Sequence, residues 1–213
     1  MHFHIITLFP GAFDSYLGES ILKRAIEDKK LKVSFYNPRD YTKDKWKRID
    51  QKPYAGGPGM VIQAEPVVKA IADARKKAKG EAKIIFLSPS GKQFTNDYAA
   101  KVSKKFKHII IVSGRYEGID ARVKKVFKME DVSIGPFVLT GGELPAMLMI
   151  DCIARQVEGV LGNFDSVEEK RVTSPDVYTR PEVFAYKGKS YRVPKILLSG
   201  HQAKIEEWKK RQK

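Results

Sequence analysis

The chain contains one cysteine, Cys152, in 213 residues. A single thiol excludes an internal disulfide and a zinc site built from cysteines, and it agrees with a reducing cytoplasm. Long apolar runs are missing too, so no segment suits a bilayer-spanning helix. The N-terminal MHFHIITLFPGAF is apolar but lacks a basic leader and a small-residue cleavage pattern, and it is read as a strand rather than a signal peptide. Two phosphate-binding signatures are absent. No G-x-G-x-x-G follows the first apolar stretch, and the pair Gly91-Lys92 lacks the first glycine of a P-loop because Phe86 stands there. No internal repeat is visible. Acid is scarce: 25 Asp and Glu face 40 Lys and Arg, a formal net charge of +15.

That surplus favours a polyanionic partner, because each Lys or Arg placed near a phosphate releases condensed counterions. The cations are clustered. Residues 186–213 hold nine Lys or Arg against Glu206 and Glu207, and further clusters lie at 43–52, 75–83 and 101–107. The polar stretch 39–60 sets Trp46 and Tyr54 among Lys and Arg, a mixture that suits base stacking with phosphate contact as well as a plain surface loop. Nucleic acid is the favoured partner class.

Apolar spacing predicts strands at 2–9, 31–36, 83–87, 108–112, 132–134 and 137–139. It predicts helices from Asp14 or Ser15 through Ile26, and over 65–79, 95–104 and 142–158. Strands alternating with helices imply an α/β domain with a mostly parallel sheet. Three glycine-bearing loops, at 88–91, 113–118 and 135–142, follow late strands, the place where open α/β sheets bind ligands. The densest is SIGPFVLTGGELPAM at 133–147, where glycines interrupt an apolar run just before a helix. The glycines alone fit an ordinary connection and a close approach of backbone to ligand equally well. Beyond Glu158 the composition shifts. The chain is divided as a domain at 1–160, a flexible linker at 161–177 and a small basic module at 178–213 that ends in a helix over 202–211. His2 and His4 share a strand face, but no acidic or cysteine partner is near them in sequence, so no metal site is assigned.

Several long motifs, in order, resemble the bacterial tRNA (guanine-N1)-methyltransferases of the SPOUT class. They are HIITLFP at 4–10, PYAGGPGM at 53–60, LSPSG at 87–91, SGRYEGID at 113–120, the 133–147 stretch, GVLGN at 159–163, YTRPEV at 178–183, and VPKILLSGH at 193–201 with Trp208. The resemblance runs nearly end to end. It implies a deep trefoil knot in the C-terminal part of the sheet domain, a small helical C-terminal module that binds tRNA, and a cytoplasmic homodimer with active sites at the subunit interface. It further implies S-adenosylmethionine as methyl donor, guanosine 37 beside the tRNA anticodon as acceptor, and a Mg²⁺ requirement without a protein-built site.

On the matching positions the donor pocket comprises Leu87, Ser88, Pro89, Gly114, Tyr116, Ile134, Gly135, Pro136, Phe137, Val138, Leu139, Gly141, Gly142 and Pro145. Arg155 matches the arginine expected to stabilise charge on the guanine carbonyl, and Glu117 matches an acid near the donor sulfur or the base. The expected general base is an aspartate of a DSF triplet, which this sequence lacks. Lys170 falls at that position, and Glu169 is the nearest acid, with Glu168 and Asp165 as alternatives. Ser113, Ala55 and Pro136 are further departures, standing for the usual cysteine, glycine and aspartate. These departures keep two other readings open: a SPOUT enzyme with a different RNA target, and a non-catalytic RNA-binding relative.

Overall fold

A computed structural model describes residues 1–54, 56–162 and 176–212. The chain forms two compact units, Met1–Phe164 and Asp165–Lys213. In the first, β1 (His2–Ile6) and β2 (Lys32–Tyr36) are followed by a small antiparallel pair, β3 (Asp50–Gln51) and β4 (Val61–Ile62). Then come β5 (Ala82–Gln93), β6 (His108–Val112) and β7 (Glu130–Ser133). The main sheet has the order β2-β1-β6-β5-β7, and every neighbouring pair is parallel. A parallel sheet is covered on both faces, which is why its strands read as unbroken apolar runs such as Ile109–Val112. The expected α/β class with a mostly parallel sheet is the observed one.

Side chains alternate between two cores. Phe3, Ile5, Ile85, Ile109 and Ile111 pack with Leu22 and Ala25 of α2 (Ser20–Glu27), Ala99 and Val102 of α4 (Asn96–Lys105), and Met149, Ile150 and Ile153 of α6 (Glu143–Ala154). Ile6, Ile84, Phe86, Ile110 and Val112 pack with Val67, Ala70, Ile71 and Ala74 of α3 (Ala64–Ala78) and Val123 of α5 (Val123–Val126). Local signals place these helices. The Thr95 hydroxyl accepts from the Tyr98 amide at 3.1 Å to cap α4, and Lys104 and Lys105 complement its C-terminal dipole.

Besides the first strand, which was expected over 2–9 and stops at Ile6, the structure departs from the predicted elements of the first unit in four places. The helix expected from Asp14 to Ile26 is split into α1 (Asp14–Leu17) and α2, because the Gly18 amide closes α1 on the Asp14 carbonyl and Ser20 takes a φ of 51°. β5 does not stop at Leu87; it runs through Gln93 with a register shift between Leu87 and Lys92, so residues 88–91 form a bulge. Gly91 lies where β7 crosses that bulge, and an added Cβ would sit 2.5 Å from the Val132 amide nitrogen. Residues 137–139 form no strand, and α6 ends at Ala154 with Arg155 as its C-cap.

At the start of the strands, the parallel register sets His108 beside His2. Burial pushes the His4 imidazole down to about 3 and His2 to about 4, with the Lys32 charge and neighbouring imidazoles acting in the same direction.

In the second unit, β8 (Val183–Tyr186) and β9 (Lys189–Arg192) form a hairpin. Its turn residues Lys187 and Gly188 both have positive φ, 48° and 74°, as a type I′ turn demands. A 3-10 turn at Lys195–Leu198 leads to α7 (Gln202–Arg211). The module expected to be helical therefore contains a hairpin, which stacks Phe184 on Tyr191 with ring centroids 5.1 Å apart. No residue of 176–212 is buried.

Candidate active site

The bulge of β5, the loop after β6 and the loop after β7 surround a cavity of about 300 Å³, a size at the lower end for small-molecule sites. The parallel sheet puts all three at one edge. Close packing of main chain on main chain holds them together. The Gly142 amide donates to the Gly114 carbonyl at 2.9 Å, the Ser113 hydroxyl donates to the Gly142 carbonyl at 3.2 Å, and Arg115 bridges Gly141. A Cβ on Gly142 would lie 2.7 Å from the Ser113 Cα, so this glycine is required by another part of the chain.

A buried carboxylate fixes the same corner. Glu143, in the first turn of α6, is 3% exposed. It accepts from the Thr7 hydroxyl and from Arg115 Nε, both at 2.8 Å. Arg115 in turn lies over the Phe9 ring, 4.6 Å from its centroid. The 53–60 motif joins from outside: the Glu117 amide donates to the Met60 carbonyl at 3.0 Å, and Gly59 sits directly against the Glu117 side chain.

Leu87, Ser88, Pro89, Gly114, Tyr116, Glu117, Ile134, Phe137, Val138, Leu139, Gly141, Gly142 and Pro145 all line this cavity. Gly135 and Pro136 do not. The Gly135 amide and carbonyl are both bonded to the Ser133 hydroxyl, at 3.3 and 3.0 Å, which turns the residue inward beneath the Phe137 ring. Pro136 is exposed to solvent. Arg155 lies elsewhere, in a cleft shared with Tyr16, Asp151 and Leu161, and Tyr16 is bonded to Asp151 there. That bond, burial and the Asp151 charge push the Tyr16 hydroxyl up to about 12. Glu169 and Lys170 lie outside the described residues.

Sequence reasoning missed Arg115, Gly118, Val132, Ser133 and Thr140 among the lining residues, and missed the Thr7–Glu143–Arg115 network. One signal for the network was available: an acid, Glu143, opening a helix whose next seven residues are all apolar. A buried acid needs a partner, and the arginine of the 113–120 motif supplies it.

Chemically, the cavity offers apolar walls, the unladdered main chain of 134–140 and one acid, Glu117. Its described lining contains no histidine and no cysteine. Such a lining suits recognition of a ligand by main-chain groups and apolar contact, and its described residues include no histidine to activate a nucleophile.

The family model described as tRNA (Guanine-1)-methyltransferase TrmD matches residues 1–213. A protein of Caldanaerobacter subterraneus subsp. tengcongensis is 46% identical over 215 residues, covering 99% of this chain and 86% of the relative. One of Campylobacter jejuni subsp. doylei is 44% identical over 209 residues, with 96% and 88% covered. A third, of Ruminiclostridium cellulolyticum, is 42% identical over 216 residues, with 100% and 91% covered. All three are named tRNA (guanine-N(1)-)-methyltransferase.

Proposed function

We infer the activity from one premise: the chain belongs to the tRNA (guanine-1)-methyltransferase family. It is a tRNA (guanine-N1)-methyltransferase. The finer reading is that it takes the methyl group from S-adenosylmethionine and places it on guanosine 37, beside the anticodon. The convergence of three loops on one cavity at the end of the sheet carries this reading. S-adenosylmethionine suits the residues present, because glycines let main chain approach a flat base while Leu87, Leu139 and Pro145 give apolar walls. When bound, it supplies a methyl group already activated on a sulfonium. The chain's own task is then to position the acceptor and remove the proton from guanine N1.

In this reading Glu117 faces the sulfonium or the base from the cavity wall. Arg155 stabilises negative charge developing on the guanine carbonyl oxygen, and Glu169 takes the N1 proton. Arg155 lies outside the cavity of its own chain, a placement that supports its proposed role at the partner's cavity across a homodimer interface. Exposed apolar surface supports that assembly. α6 leaves Leu144 and Leu148 uncovered at 59% and 38%, and Val138 on the cavity lip is 80% exposed. We further assign a trefoil knot to the C-terminal part of the sheet domain, a reading supported by the seating of Gly142 on Ser113 and of Gly91 on β7.

Residues 1–160 act as the catalytic domain, 161–177 as a linker and 178–213 as a tRNA-binding module in the cytoplasm, with Mg²⁺ required but held by no dedicated protein ligands. No described helix is long and apolar enough to cross a membrane. Incubation with labelled S-adenosylmethionine and unmodified tRNA tests the proposal. Label is expected on N1 of guanosine 37 alone. Label at another nucleotide, or none while donor and tRNA both bind, overturns it.

A further inference from the structure

The edge where the strands begin carries a side-chain cluster that methyl transfer does not use. We propose that His2, His4 and His108 form a binding site for a borderline divalent transition-metal ion, with Zn²⁺ as the test ion. His2 and His4 are two residues apart on β1 and so face the same way. The parallel register brings His108 of β6 directly beside His2. One ring nitrogen from each residue lies within 4.8 Å of the other two. His4 Nε2 and His108 Nδ1 are 3.1 Å apart, and the His2 and His4 ring centroids are separated by 3.8 Å. A tetrahedral ion bound at about 2.0–2.1 Å needs ligand nitrogens roughly 3.3 Å apart, so small side-chain rotations close the set.

The chemistry of the set selects the ion. Three imidazoles without a carboxylate suit Zn²⁺, Co²⁺ or Ni²⁺ and not the oxygen-seeking Mg²⁺ or Ca²⁺. The surroundings supply the outer contacts that metal-bound histidines use. His4 Nδ1 is 2.9 Å from the Tyr36 hydroxyl, and His2 Nε2 is 2.9 Å from the Ser34 hydroxyl, both partners on β2. His4 is fully buried while His2 and His108 are partly exposed, which gives an ion a route in and room for a water as fourth ligand. Within the 3.1 Å pair one nitrogen carries a proton that the other accepts. Binding uses both lone pairs, and the donor ring moves its proton to its other nitrogen, so no net proton is released. Lys32, Lys77 and the terminal amine oppose a cation here, which makes the metal exchangeable rather than permanent. His108 is at the first residue of β6 and Val112 at its last, so the site lies about 13 Å along the strand from the cavity edge. Its role is to tie β1 to β6 at that end.

Chelator-stripped full-length protein titrated with ZnCl₂ by calorimetry, with thermal unfolding in parallel, tests the proposal. One Zn²⁺ per chain and a raised Tm are expected. His108→Ala and His2→Ala should each weaken binding more than tenfold, and Tyr36→Phe by roughly tenfold. His201→Ala, which removes the remaining histidine, should bind as wild type. Co²⁺ should give the intense visible bands of a four-coordinate ion with wild type and lose them in His108→Ala. Absence of binding by the wild type, or equal binding by wild type and His108→Ala, overturns the site. Circular dichroism of the metal-free variants establishes that they are folded, and if His2→Ala is not, the His108→Ala and Tyr36→Phe comparisons decide alone.

Discussion

Helices α6 and α7 are of similar length, 12 and 10 residues, yet α6 carries seven buried residues and α7 carries none. α6 is apolar on most sides and is wedged against the sheet, so its first turn holds Gly142 and Glu143 in fixed places at the cavity. α7 has Ile205 and Trp208 among cations, and local pairs such as Arg211 with Glu207 help hold its outer face. The contrast separates two jobs. Positioning a reacting atom needs groups locked by packing. Holding a polyanion, the role proposed for the second unit, needs only charge in roughly the right region, which a thinly packed module can present.

Breaking the first half of that contrast should have the largest effect. Arg155→Ala is expected to lower kcat by about 10²–10³, the usual cost of losing one group that stabilises developing negative charge. Its Tm should hardly move, since Arg155 caps α6 beside an open cleft. A matching fall in Tm would make the residue structural and erase the distinction. Next in size, Arg115→Met strands the buried Glu143 carboxylate and should cost about 3 kcal/mol in denaturant unfolding. Glu207→Ala in α7 removes an exposed ion pair and should leave the unfolding midpoint in place.

The second half is sharpened by Lys209→Glu with Lys210→Glu. That double variant should weaken tRNA binding and reduce its salt dependence by about one unit of log–log slope for each phosphate that is no longer neutralised. Donor affinity, measured separately, should be unchanged; a loss there would mean the module shapes the cavity.

The smallest effect is a pH trend confined to the first unit. His2 and His4 have folded pKa values of about 4 and about 3, below the ordinary 6.5. The unfolded chain therefore takes up protons that the folded chain refuses as pH falls below 6.5. Their contribution to stability is complete above that pH and is lost progressively down to about 4 for His2 and about 3 for His4. Lys32, Lys77, His108 and the terminal amine all face the pair with the same sign and none opposes the trend. Tm of metal-free protein should drop between about pH 7 and 5, and His2→Gln should flatten that drop.

Periodicity made most of the first unit legible, because burial on both faces of a parallel sheet writes itself as apolar runs. The 108–112 strand was readable to the residue. Features set by contact between distant segments were not. Nothing within 137–139 says that these residues leave the sheet, whereas Gly18 within 14–26 was a visible signal of the break there. The glycines of 133–147 were visible, but Gly142 is explained by Ser113, another part of the chain, rather than by a ligand alone. The His2–His4–His108 cluster was invisible for the same reason, since strand order decides which strand lies beside β1. In the second unit, a hairpin with every residue exposed or half-exposed carries no burial pattern to read.

The bond between Thr7 and Glu143 spans 136 positions. On a ribosome adding roughly 5–20 residues per second, Thr7 waits on the order of ten seconds for its partner to be synthesised. β1 and β2 can pair early, because only a short segment separates them. The cavity wall cannot form in any nascent chain that stops before residue 143. Sequence-distant closure of this kind raises contact order and slows the last stage of folding. A fragment released before residue 143 lacks Glu143, so the Thr7–Glu143–Arg115 network that fixes this corner of the cavity cannot form in it.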